Sequence, residues 1–96
     1  LSVLKKFKEE HGVLSFPIEG YTLTMDFPVD KNTLKMAKEL DKIVIKRKGR
    51  IYLTKDAIMS KETFEQMYPV ETFKKIKQKY DPKNKFTSKQ AQRIGI

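Results

Sequence analysis

The sequence predicts an α+β fold, a small antiparallel sheet with helices packed on one face. Three observations predict it. Residues 20–29 alternate apolar and polar side chains with the period of a strand. Residues 30–48 repeat apolar side chains with the period of a helix. The last third of the chain reads as further short helices. Strands first and helices last is the order of an α+β domain rather than of alternating βαβ units.

Residues 1–8 read as the first strand, with Val3, Lys5 and Phe7 pointing one way and Ser2, Leu4 and Lys6 the other. Glu9-Glu10-His11-Gly12 is a polar turn, so the next extended run is expected to return antiparallel. In that run Tyr21, Leu23, Met25 and Phe27 form an apolar face, and Thr22, Thr24 and Asp26 a small polar one. Pro28 ends it, because proline has no N–H to give a central ladder. Asp30 or Asn32 caps the long helix, in which Leu34, Ala37, Leu40, Ile43 and Val44 recur at helical spacing. Lys46, Arg47 and Lys48 lie where cations suit the helix dipole, and Gly49 reads as the C′ residue.

Residues 50–54 read as a third, short strand, with Ile51 and Leu53 on one face and Tyr52 and Thr54 on the other. Ser60 is expected to cap a helix over 61–67, and Tyr68-Pro69 punctuates the chain. A helix over about 70–80 sets Phe73, Ile76 and Tyr80 on one side, and Asp81-Pro82 stops it. Phe86 reads as a core anchor and residues 88–93 as a final short helix. The apolar strand faces are expected to meet the helices. Thr22, Thr24, Tyr52 and Lys5 then line the other sheet face, which suits a wet cavity of hydrogen-bonding groups.

Ninety-six residues bound the chain to one domain, about 1–60 forming sheet plus helix and about 61–96 the C-terminal helices. There is no cysteine, which excludes disulfides, zinc–thiolate sites, iron–sulfur ligation and thiol catalysis within the chain. No apolar run is long enough to span a bilayer, and the expected location is cytoplasmic or peripheral to the inner membrane. Leu1 already belongs to a strand pattern, so the chain reads as part of something longer. The net charge is +9, with most of the excess between Lys74 and Lys89. This supports an alternative, a basic α+β module that binds nucleic acid or an anionic membrane. The stretch has no arginine cluster and its aromatics fall at helical spacing, so no specific nucleic-acid partner is expected. An uncovered sheet face also leaves room for self-association.

The chemical candidates are few. His11 is the only histidine and sits in a polar turn; with scattered carboxylates, no metal site is supported. Four dispersed glycines make no phosphate loop, and the serines lack a base. Lys55 stands out. Its ordinary reading is a surface lysine paired with Asp56. The functional reading has it beside Tyr52, near Thr22 and Thr24, supplying positive charge to a substrate anion or a reduced cofactor.

Leu14-Ser15-Phe16-Pro17, Gly20, Asp26-Phe27-Pro28, Leu40-Asp41, Gly49-Arg50, Tyr52, Lys55-Asp56, Glu62-Thr63-Phe64, Met67-Tyr68-Pro69, Asp81-Pro82 and Phe86 form an ordered series. In order and spacing it resembles the C-terminal part of FAD-linked oxidases of the vanillyl-alcohol oxidase superfamily, nearest the decaprenylphosphoryl-ribose 2-oxidase-like enzymes. The resemblance implies a C-terminal substrate-domain portion of an FAD-dependent enzyme, with FAD held mainly by an N-terminal domain outside this chain. It implies oxidation of an alcohol of a sugar or sugar-lipid, by hydride transfer to flavin. On the matching positions Lys55 and Tyr52 look like the pair that contacts flavin and substrate. Thr22, Thr24, Val3, Lys5 and Phe7 look like the lining of the same cavity. Thr22 and Thr24 fall where the mycobacterial-type enzymes have asparagine and cysteine, which alters the hydrogen bonds available to a substrate.

Overall fold

A computed structural model describes all 96 residues, Leu1–Ile96. The elements run β1 (Ser2–Phe7), β2 (Gly20–Met25), α1 (Lys31–Lys46), a 3₁₀ turn (Leu53–Lys55), α2 (Lys61–Met67), α3 (Val70–Tyr80) and α4 (Lys89–Ile94). β1 and β2 pair antiparallel in a two-stranded sheet, so the fold is α+β as the pattern predicts. No helix is long and apolar enough to cross a membrane.

The register sets Val3 opposite Thr24, Lys5 opposite Thr22 and Phe7 opposite Gly20. Side chains alternate along a strand, so these residues share one face while Leu4, Tyr21, Leu23 and Met25 share the other. Which face is covered reverses the expectation. Tyr21 is 71% exposed and Leu23 56%, whereas Val3, Phe7, Thr22 and Thr24 are half-buried. At the Phe7 end the threonine face receives the loop residue Phe16. Its ring stands edge-on to Phe7, centroids 5.9 Å apart, and lies against Tyr52 at 5.0 Å. Alternation shows which side chains share a face; it does not show which face finds a partner.

The fully buried residues all lie between Asp56 and Ile94. Met59, Phe64, Met67, Tyr68, Val70 and Ile94 form the core, centred on α2, which touches both α1 and α4. Leu14, Val44, Ile45, Ile51, Leu53 and Ile96 pack around it. Phe86, expected in the core, is 81% exposed. The Asp81 carboxylate accepts the N–H groups of Lys85 and Phe86, both at 2.8 Å, and fixes the turn after α3 with that ring outside. Ile76 and Tyr80 are exposed as well, leaving Phe73 as the half-buried member of the α3 stripe.

The helix starts follow the sequence closely. Asp30, Ser60 and Ser88 cap α1, α2 and α4 by accepting the N–H of Thr33, Thr63 and Ala91. The end of α1 does not. Lys48, with φ 56°, takes the left-handed position, its N–H bonding Ile45 O and that of Gly49 bonding Val44 O, both at 2.9 Å. This is the Schellman pattern with Lys48 as C′. Gly49 instead comes close to the helix, where a Cβ would stand 3.0 Å from Val44 Cγ1.

Candidate functional site

Residues 50–54, read as a third strand, join no sheet. Side chains from later in the chain take their carbonyls instead. Tyr68 Oη donates to Ile51 O at 2.8 Å, and Gln90 Nε2 donates to Leu53 O. The backbone then turns, with Lys55 N–H donating to Tyr52 O at 2.9 Å. The turn matters for the site. In a strand, residues three apart point to opposite faces; in a 3₁₀ turn, three residues complete one revolution. Tyr52 and Lys55 thereby emerge on the same side, one turn apart, and both are exposed.

The neighbouring acid is not Lys55's partner. Asp56 is buried, 6% exposed, and pairs with Arg93 Nη2 at 2.8 Å and Gln90 Nε2 at 3.0 Å. Lys55 takes part in none of the chain's salt bridges. The ordinary reading of a Lys55–Asp56 surface pair is therefore replaced by an unpaired ammonium on a braced turn.

A second brace sets Tyr52. Arg50 donates to Ser15 O and lies over the Tyr68 ring, 5.3 Å from its centroid. This ties the 14–17 loop to the segment before the turn and sets Phe16 between Phe7 and Tyr52. Burial pushes the Tyr68 hydroxyl up to about 12, opposed by the Arg50 cation and reinforced by the Asp56 charge. Tyr68 therefore stays neutral and donates its proton to Ile51 O.

The structure thus places the seven candidate residues in two groups. Val3, Lys5, Phe7, Thr22 and Thr24 share one face of the ribbon by register. Tyr52 and Lys55 share one side of the turn, and Phe16 joins the groups through Phe7 and Tyr52. Lys55 makes no bond to the ribbon. The sequence reading named Phe16 and Arg50 only as members of the ordered motif series, with no part in positioning the turn, and missed Gln90 and Arg93. Only the proximity of Arg50 to Tyr52 offered a signal, whereas Gln90 and Arg93 lie more than thirty residues downstream.

A family model of D-arabinono-1,4-lactone oxidase matches residues 20–94. The chain is also 36% identical, over its whole length, to a decaprenylphosphoryl-β-D-ribose oxidase of Mycolicibacterium smegmatis. The chain belongs to the D-arabinono-1,4-lactone oxidase family. The resemblance to FAD-linked oxidases read from the ordered motifs is borne out by this membership. The chain spans 21% of the length of that relative. For this FAD-linked family the chemistry of the donor set fits a flavin edge. An unpaired Lys55 ammonium and an exposed tyrosine stand one turn apart, and Phe16 links that tyrosine to Phe7, on the ribbon face that also bears two threonine hydroxyls.

Proposed function

We propose that this chain is the substrate-facing part of an FAD-dependent oxidoreductase that oxidises an alcohol of a sugar or sugar-lipid. One observation carries the reading: the family member's Lys55 is exposed and free of its adjacent acid, one 3₁₀ turn from Tyr52. FAD, when bound, would supply the acceptor for the hydride leaving the carbinol carbon, while the hydroxyl proton would pass to solvent water. Lys55 contributes a fixed positive charge beside the position where negative charge grows during transfer. It also donates a charge-assisted hydrogen bond to the substrate hydroxyl oxygen or to an anionic group of the substrate. Tyr52 offers a ring edge and a hydroxyl on the same side, and Phe16 holds that ring in place. On the ribbon, Thr22, Thr24 and Lys5 offer donors and acceptors to sugar hydroxyls, while Val3 and Phe7 offer apolar contact. The FAD-binding domain is supplied from outside residues 1–96, and the segment alone is inactive.

The experiment is Lys55→Met in the full-length protein, with flavin reduction by a sugar alcohol substrate followed under single-turnover conditions without oxygen. The expected outcome is a loss of reduction rate of about 10²-fold, the size seen when one donor to developing charge is removed. Reduction at the unaltered rate would sink the role given to Lys55.

A further inference from the structure

Asp56 is next to Lys55 in sequence and is the one charged residue buried in the chain. A carboxylate so close to an exposed lysine is its natural partner. Here both oxygens are engaged elsewhere, Oδ1 accepting from Arg93 Nη2 at 2.8 Å and Oδ2 from Gln90 Nε2 at 3.0 Å. The same two α4 side chains also grip the backbone on both sides of Lys55. Gln90 Nε2 donates to Leu53 O, and Arg93 Nη1 donates to Met59 O at 2.8 Å. Met59 N–H closes the loop onto Asp56 O at 2.9 Å.

We infer that Arg93, helped by Gln90, is a positioning residue that sequesters the Asp56 carboxylate and so keeps the Lys55 ammonium uncompensated for an anionic group of flavin or substrate. The purpose rests on the reading of Lys55 given above; the sequestration rests on the α4 contacts alone. Arginine suits the task because its planar fork sends two N–H groups to two acceptors, Asp56 and Met59 O, at once. Lysine, a single point charge, cannot hold both in that geometry. Without Arg93, a carboxylate with half its bonds gone turns to the adjacent cation.

The test uses the full-length protein and acetic anhydride at fixed pH, reading acetylation of Lys55 against Lys38 in the same digest by mass spectrometry. An ammonium paired with a carboxylate stays protonated and reacts slowly. Arg93→Gln is expected to slow Lys55 acetylation relative to Lys38 by about five-fold, the modest effect of an opposite charge near an exposed amine. Adding Asp56→Asn to Arg93→Gln is expected to restore the rate, a rescue that a merely structural role of Arg93 would not give. Asp56→Asn alone keeps the side-chain shape and is expected to leave the Lys55 rate as in the parent. Faster acetylation in Asp56→Asn alone would show that Asp56 had been holding Lys55, and would overturn the proposal. So would an unchanged Lys55 rate in folded Arg93→Gln. If Arg93→Gln does not fold, faster acetylation in Asp56→Asn alone still overturns the proposal, and Gln90→Leu, which frees Asp56 Oδ2, is read in its place with slower Lys55 acetylation expected and an unchanged rate counting against it. Full flavin reduction in Lys55→Met would remove the catalytic reading and leave these labelling outcomes untouched, so the two failures are told apart.

Discussion

The β ribbon and the helical half draw on the same kinds of side chain and bury them to opposite degrees. Leu4, Tyr21 and Leu23 are 66%, 71% and 56% exposed, while Phe64 and Ile94 are 0% and 1%. Apolar content does not set burial; a second layer does. In the helical half, α2 lies between α1 and α4, and the polar hooks of α4 fasten residues 53–59 to it. The ribbon has its ladder and the Phe7–Phe16–Tyr52 stack, and no element of this chain covers its apolar face. A two-stranded sheet buries too little to stand alone. The candidate site lies where the firm half meets the weak one.

That contrast can be broken experimentally. Phe64→Ala is expected to cost about 4 kcal/mol, the cavity cost of removing a fully buried aromatic ring, measured as a shift of the denaturant midpoint. Arg93→Leu comes next, at about 3 kcal/mol, because it strips the charged partner from a buried carboxylate. A fitted unfolding free energy unchanged in Arg93→Leu would mean that the α4 hooks do not hold the turn.

The Tyr68 hydroxyl gives a pH signature confined to the helical half. Its folded value is raised above the ordinary 10 to about 12, so the neutral form is favoured in the folded state. The stability it contributes is full below pH 10 and is lost as the pH rises from 10 to about 12. Alkaline unfolding over that window is expected to lose this component in Tyr68→Phe, followed by tyrosinate absorbance and helical signal together.

Smaller effects sharpen the comparison. Ser60→Ala removes the acceptor for Thr63 N–H and is expected to cost about 1 kcal/mol by thermal melting. Leu23→Thr, on the open ribbon face, is expected to change stability by less than about 0.5 kcal/mol. If Leu23→Thr cost as much as Phe64→Ala, the division into a covered and an uncovered half would be wrong.

What the sequence revealed divides along the same line. Local rules were enough for the Ser60 cap, for the span Val70–Tyr80 and for the antiparallel return of the second strand, and they narrowed the α1 cap to Asp30 or Asn32, of which Asp30 serves. They failed wherever a distant side chain decided the outcome. Ile51-Tyr52-Leu53 alternates like a strand, but Tyr68 and Gln90 reach its carbonyls before any strand edge does. Lys48 occupies a conformation that local preference gives to Gly49, and the glycine lies one position later, in close approach to Val44. For the site, strand parity grouped Thr22 with Thr24, while the place of Lys5 on the same face needed the register Lys5 opposite Thr22 that the structure supplies. The freedom of Lys55 did not, since it depends on an arginine 37 residues beyond Asp56.

The Lys55 N–H bond to Tyr52 O also fixes an angular relation, and so determines which length changes the chain can tolerate. At about three residues per revolution, inserting or deleting one residue between these two would swing the amine through roughly a third of a circle. The composition would hardly change, yet the charge would point elsewhere. An equal insertion among residues 9–12 would only lengthen an exposed loop, at little entropic cost. Spacing from tyrosine to lysine is thus a stricter marker of this arrangement than either residue alone.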